Sequence, residues 1–384
     1  MEKDMRNRAS EEEKIFIENV EELEDLEYTG EGEKPLFASV RVNKKDFSVY
    51  ELYRKYQKGQ LILEISFQRN EVWKGRQKYE LIESIFMGLP LSVFYFKQQD
   101  NATYVVVDGT QRLSVLFDYL NNKFSLKSLK ILKFLNGKKF KDLTGELGIY
   151  QSQLEDYQIY SHVILPPTPD KILFDIFDRV NRGGTLLNKQ EIRNALYHGE
   201  GLDMIAEITK TEAFAGATGI EHSKDSRMQG AYLVTRFLSF YLLFHDYLKK
   251  EGKPYEYNGN LDDLIETTLT QLNHTSKKEL DRLREMIIQC LIQTEAILGK
   301  GAFRRELNSS NPINMNLFEI TLYVMSLIWE KNLSVDPQKA KSAFYDVITN
   351  QEFLEYIGND REQTDKVYGR LRWAERFFEE ICHD

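Results

Sequence analysis

Cysteine is nearly absent. The 384 residues hold two, Cys290 and Cys382, each inside a helical pattern, so a disulfide framework is excluded and a reducing compartment fits. Both read as packing residues. No apolar run approaches the ~20 residues that a bilayer-spanning helix needs, and the first thirty residues are acidic and polar where a secretory leader would need a basic start and an apolar stretch. The expectation is a cytoplasmic protein with no membrane partner. Positive charge is also short: the formal net charge is -9, which argues against coating nucleic acid by bulk electrostatics and leaves only a local basic face open. The six histidines, at 162, 198, 222, 245, 274 and 383, show no spacing suited to zinc or to a His-Asn-His nuclease, and Cys-x-x-Cys is missing.

Apolar and charged fractions are those of an ordinary globular protein, and the length allows two cores. Residues 1–34 carry thirteen acidic and five basic side chains, interleaved with Ile15, Phe16, Ile17, Val20, Leu23 and Leu26. This segment reads as an acidic arm, either an amphipathic helix for a basic groove or partner, or a solvated tail. Residues 35–200 mix strand and helix signals. Residues 201–384 read as helices with apolar faces, so the expected class is α+β, an α/β domain followed by an all-α domain.

Within the α/β part, 39–43 alternates like a strand and Ser48-Val-Tyr-Glu51 is a capping box that opens a helix. Residues 76–87 form a helix stopped at Gly88, and 92–97 with 103–107 form a hairpin. Asn136-Gly137 between alternating residues predicts a second hairpin over 130–140, and 159–165 predicts another strand. In the second half, helices are expected over 227–250, 261–274, 277–298, 316–329, 337–349 and 364–381.

The most informative stretch is 105–120, because its hydrophobic period changes in the middle. Val105, Val106 and Val107 read as a buried strand, while Leu113, Leu116, Phe117 and Leu120 fall at helical spacing. Between them lies Asp108-Gly-Thr-Gln-Arg112. A strand that turns directly into a helix exposes backbone N–H groups at the positive end of the helix dipole, where phosphate is the natural ligand. Gly109 permits close backbone approach, Arg112 can fork onto phosphate oxygens, and Asp108 can hold a metal-bound water or orient Arg112. The plainer alternative is a surface turn with a local Asp/Arg pair.

Two further clusters accompany it. Gln68 and Arg69 close a short strand over 65–73 and suit a phosphate or a base edge, with Trp73 as core cover or stacking ring. Residues 172–180 predict a helix ending in Asn181-Arg-Gly-Gly-Thr185, after which Asn188-Lys-Gln-Glu191 caps another helix. That loop could cradle an anion, with Arg182 and Arg193 as its charges; it is equally readable as a corner with local ion pairs.

Phe67-Gln-Arg-Asn-Glu-Val-Trp73, Val107-Asp-Gly-Thr-Gln-Arg-Leu113 and the run from Phe177 to Ala195, in this order, resemble the Asp-Gly-Gln-Gln-Arg domain family of bacterial phage-defence proteins, the GmrS type of modification-dependent restriction. The resemblance covers roughly residues 35–200. It implies a ParB/sulfiredoxin-like α/β fold that binds a nucleoside triphosphate with Mg2+ and hydrolyses it to regulate DNA recognition or cleavage. Carried across, Asp108, Gln111 and Arg112 are catalytic. Gln68, Arg69, Gly109, Thr110, Arg112, Asn181, Arg182, Glu191 and Arg193 bind nucleotide, and Asp108 holds the metal. Thr110 stands where the family has glutamine, and Tyr232 where an acidic residue is expected ahead of Leu233-Val-Thr-Arg-Phe237. The chain has no His-Asn-His pattern, so either the helical half has another task or the nuclease is another chain, a partner nuclease or defence subunit. DNA and a second copy of the chain remain open as partners. The competing reading is a non-catalytic DNA-binding or partner-sensing module, and direct DNA nicking is the weakest.

Overall fold

The computed structural model describes residues 16–18, 41–63, 75–99, 101–166, 188–225, 227–250, 252–306, 311–358 and 361–382. The chain forms two compact units, one of Leu26–Leu196 and one of Tyr197–Asp384 together with Met1–Asp25. The class is α+β, a mixed sheet unit followed by a helical one.

The α/β unit opens with β1 (Arg41–Ser48) and α1 (Val49–Gln57). Ser48 caps α1 by accepting from the Glu51 N–H at 3.1 Å, as the sequence motif requires. Then follow β2 (Leu61–Ile62), α2 (Gly75–Phe86), β3 (Phe94–Gln98), β4 (Tyr104–Asp108), α3 (Thr110–Leu120), α4 (Gly148–Asp156), β5 (Gln158–Leu165) and α5 (Lys189–Leu196). The five strands lie in the order β1-β5-β3-β4-β2. β1 runs antiparallel to β5 and β3 antiparallel to β4, whereas the β5/β3 and β4/β2 pairs are parallel.

Strand β4 is buried along Tyr104, Val105, Val106 and Val107. Successive side chains of a strand point to opposite faces, so a continuous buried run means cover on both sides. Tyr104 and Val106 enter the main core with Phe47, Phe94 and Phe96, and α5 packs against β4. The register slips between Tyr95, opposite Asp108, and Phe96, opposite Val106. This bulge leaves Val107 as the extra residue and re-aims the strand end just before the junction.

The hairpin expected over 130–140 is not formed. Asn136 Oδ1 accepts from the Leu129 N–H at 3.0 Å, and the buried Glu83 carboxylate accepts from the N–H groups of Lys130, Ile131 and Leu132 at 3.3, 2.8 and 2.8 Å. These acceptors take donors that a ladder would have used, and residues 133–135 close into one 3-10 turn.

The second unit contains α6 (Glu200–Thr209), α7 (Glu212–Thr218), α8 (Gln229–Phe244), α9 (Leu261–Asn273), α10 (Lys277–Leu298), α11 (Met315–Glu330), α12 (Pro337–Thr349), α13 (Gln351–Tyr356) and α14 (Thr364–Cys382). The helix expected over 227–250 stops at Phe244. Asp246 takes a left-handed φ of 55°, and a small hairpin of β6 (Lys249–Lys250) and β7 (Lys253–Pro254) turns near Gly252 at φ 78°. Among the described residues no helix is long and apolar enough to cross a membrane.

Part of the acidic segment is extended and packed into this helical unit. Ile17 bridges Ile313 in parallel, and the Gln229 side-chain oxygen accepts from the N–H groups of Phe16 and Ile17 at 2.8 and 3.3 Å. Asn314 Nδ2 donates to Glu18 at 2.7 Å.

A buried charge network ties α8, α11 and α14 together. Arg236 donates from Nε to Glu319 and from Nη2 to Glu362 at 2.9 Å, and Arg370 lies 3.7 Å from Glu319. Burial pushes the Glu319 carboxyl up against the pull of both arginines. In Glu362 the two arginines outweigh burial and hold the carboxyl below its ordinary value. Removing one partner strands the other charges, so Arg236→Met should lower stability by ~3–5 kcal/mol in urea denaturation, with a smaller loss in the Arg236→Met/Glu319→Leu double variant.

Candidate functional site at the strand-to-helix junction

Gly109 joins β4 to α3 with φ 102° and ψ 7°, a left-handed conformation that a side chain resists. A β-carbon there would lie 2.2 Å from a ring carbon of Phe94. The residue must therefore be glycine on two grounds, backbone and space. No side chain caps α3; its first intrahelical bond runs from the Leu113 N–H to the Gly109 carbonyl at 2.9 Å. The N–H groups of Thr110, Gln111 and Arg112 precede that bond and have no partner within the helix. Gln111 is exposed, Thr110 and Asp108 are half-buried, and Gly109 is buried.

Arg112 is committed inside the protein. Its Nη1 donates to the Ser92 carbonyl and, at 2.8 Å, to Ser92 Oγ; its Nη2 donates to the Val93 carbonyl at 3.3 Å and to Asp108 Oδ2 at 2.7 Å. The guanidinium also lies 3.9 Å above the Phe94 ring centre, in cation–π contact. Burial pulls the Arg112 guanidinium below its ordinary value and Asp108 pulls it back up. Sequence reading allowed Arg112 either to fork onto phosphate or to pair with Asp108; the geometry gives the pair, with two carbonyls and a ring added.

Those acceptors are held by a residue that the sequence did not single out. Tyr157 accepts from the Leu91 N–H at 3.0 Å and donates to the Leu89 carbonyl at 2.8 Å, fixing the segment that leads to Ser92 and β3. Burial raises the Tyr157 hydroxyl above its usual pKa.

Helix α5 flanks this region through β4, and Lys97 Nζ of β3 donates to its last carbonyl, Leu196 O, at 3.2 Å. Its start is a reciprocal capping box: the Glu191 N–H donates to Asn188 Oδ1 at 2.8 Å and the Asn188 N–H to Glu191 Oε2 at 2.6 Å. Glu191 and Arg193 are buried, as are Gln190 and Asn188. Both therefore sit in the interior of the unit, and Glu191 has a capping task of its own. Gln68, Arg69, Trp73, Asn181 and Arg182 lie outside the described residues.

The fit to a phosphate-bearing ligand and its cation can be judged on these atoms. An uncapped helix start behind a close-approach glycine suits phosphate oxygens. Among the described residues no group of three or more His, Cys, Asp or Glu side chains is arranged to hold a metal. One carboxylate does not make a resident metal site, but Mg2+ commonly uses one or two carboxylates together with ligand phosphates. Asp108, at 31% side-chain exposure and with Oδ2 on Arg112, fits only that shared kind of coordination.

Residues 49–198 match the family model described as the GmrSD restriction endonuclease, N-terminal domain. The α/β unit is thus similar to that domain over almost all of its described elements, and the Asp108–Arg112 motif falls inside the match. Comparisons with curated proteins and with solved structures give no match.

Gly109→Ala should destabilise the protein by at least ~2 kcal/mol, since left-handed strain and overpacking against Phe94 each cost about 1–3 kcal/mol. A urea midpoint equal to that of the parent would contradict the junction geometry.

Proposed function

We propose that the β4–α3 junction binds the phosphate end of a nucleoside triphosphate, and that the protein is a nucleotide-responsive, NTP-hydrolysing component of a DNA-restriction or phage-defence system. The observation that carries this reading is the uncapped start of α3 behind Gly109, with Thr110 and Gln111 accessible and Asp108 beside them. The match of residues 49–198 to a restriction-endonuclease N-terminal domain supports the biological setting.

In this reading the N–H groups of Thr110 and Gln111 and the Thr110 hydroxyl hold phosphate oxygens. Gln111 orients the attacking water. Asp108 positions water or shares in holding a Mg2+ that arrives with the phosphates; when bound, the cation supplies charge neutralisation. Arg112 acts as a positioning residue, keeping Asp108 and the helix start in place from behind. Gln68, Arg69, Asn181, Arg182, Glu191 and Arg193 complete the proposed nucleotide-binding set, with Glu191 and Arg193 acting from the interior.

A second reading, a non-catalytic DNA-binding or partner-sensing module, is favoured by the full engagement of both Arg112 amino groups. Calorimetric titration of the four ribonucleoside triphosphates with Mg2+ separates the two. Binding and slow turnover should appear with at least one of them. Asp108→Ala should remove turnover while keeping most of the binding, and Arg112→Ala should weaken binding at least tenfold. Normal hydrolysis in both variants sinks the site assignment; salt-dependent DNA binding without nucleotide binding would establish the second reading.

A further inference from the structure

The net charge of -9 conceals a segment of opposite sign. The connection between α3 and α4, residues 121–147, contains seven lysines, all within 121–141, against two acidic residues, Asp142 and Glu146. Two are neutralised locally, Lys123 by Asp118 at 2.8 Å and Lys130 by Glu80 at 2.9 Å. Lys127, Lys133, Lys138, Lys139 and Lys141 have no ion pair among the described residues, and Lys127, Lys133 and Lys141 are exposed.

An isolated lysine run is ordinarily a solvated face, but this one is built on fixed backbone. Leu126, Leu129, Leu135 and Leu143 are buried anchors, and Glu83 holds three consecutive N–H groups from beneath. The Leu126 N–H donates to the Lys138 carbonyl at 3.0 Å and the Gly137 N–H to the Leu126 carbonyl at 2.7 Å, which sets Lys127 beside Lys138. The Lys141 N–H donates to Asn122 Oδ1 at 2.7 Å, returning the far end of the segment to its start. Ile131 and Phe134 stand out of this surface at 66% and 55% exposure.

We infer that this surface docks the phosphate backbone of duplex DNA, independently of base sequence. A chain repelled by DNA overall must approach it through a local patch, and a preorganised backbone spares phosphate binding the cost of ordering the loop that carries these lysines. The choice of DNA among polyanions rests on the restriction setting proposed above, whereas the surface itself is independent of the nucleotide site.

The experiment is the affinity of the full chain for a short fluorescent duplex between about 50 and 200 mM salt. Lys127→Gln/Lys133→Gln/Lys141→Gln is compared with a control triple, Lys277→Gln/Lys278→Gln/Lys341→Gln, of the same net charge and also on exposed lysines. Each phosphate contact contributes about 0.9 to the slope of log affinity against log salt. The loop triple should therefore lower that slope by about 2–3 and weaken binding at least tenfold, with little change in the control. Equal losses in both triples, no DNA binding by the parent, or binding only to phosphatidylserine vesicles would overturn the inference. Circular dichroism checks folding. Nucleotide titration of the loop triple should match the parent, so a failure of the nucleotide site is read separately from a failure of this surface.

Discussion

The α/β unit turns on one guanidinium. Arg112 joins the start of β3 through the Ser92 and Val93 carbonyls, the end of β4 through Asp108, and the core through the face of Phe94. A hydrogen bond to a charged group is worth about 1.5–3 kcal/mol and a cation–π contact about 0.5–2 kcal/mol. A missing helix cap forgoes ~1 kcal/mol. The clamp can therefore hold α3 at its start without a capping side chain, and the N–H groups of the first turn need not be satisfied by the protein itself. The bulge at Val107 and the left-handed Gly109 belong to the same arrangement, because Phe94 fills the space that a side chain at 109 would occupy.

The two units use arginine in contrasting ways, and burial decides which. Arg112 keeps 12% of its side chain exposed and bonds mainly to carbonyls that are present whatever the sequence. Arg236 is almost wholly buried and depends on two carboxylates remote in sequence, Glu319 of α11 and Glu362 in the turn before α14. Desolvation makes the second arrangement all-or-none, since each partner is costly without the others. The first is a local tie that sets the angle between a strand and a helix.

Much of this was legible in the sequence because it depends on local periodicity. The change from period two to period 3.6 across Asp108–Arg112 located β4 and α3, and the capping boxes at Ser48 and Asn188 marked their helix starts. The Asn136-Gly137 hairpin was misread because its competitor is remote: Glu83, on α2, supplies acceptors that no local pattern announces. The commitment of Arg112 was only half visible for a related reason. Asp108 is four residues away, but the carbonyls of Ser92 and Val93 carry no side-chain signature, and Tyr157, which fixes the approach to them, lies 65 positions downstream of Ser92. The end of α8 at Phe244 was hidden because the following residues keep an apolar pattern while Asp246 takes a left-handed turn.

The position of Asp108 links the two readings of the site. One of its oxygens already neutralises Arg112, and a divalent cation drawn to the same carboxylate would repel that guanidinium. At an effective dielectric near 20 and a separation of about 4 Å, two unit charges interact by ~4 kcal/mol and a divalent cation with a guanidinium by roughly twice that, which is comparable to the clamp as a whole. On the proposed function, ligand phosphates at the start of α3 would offset this repulsion by bringing negative charge to the same place, so that a nucleotide with its cation would leave the clamp nearly undisturbed, whereas the cation alone would oppose it. On the proposed function, the electrostatics of Asp108 and Arg112 favour the cation and the nucleotide together over the cation alone, and they do so through the same residue pair that sets the angle between β4 and α3.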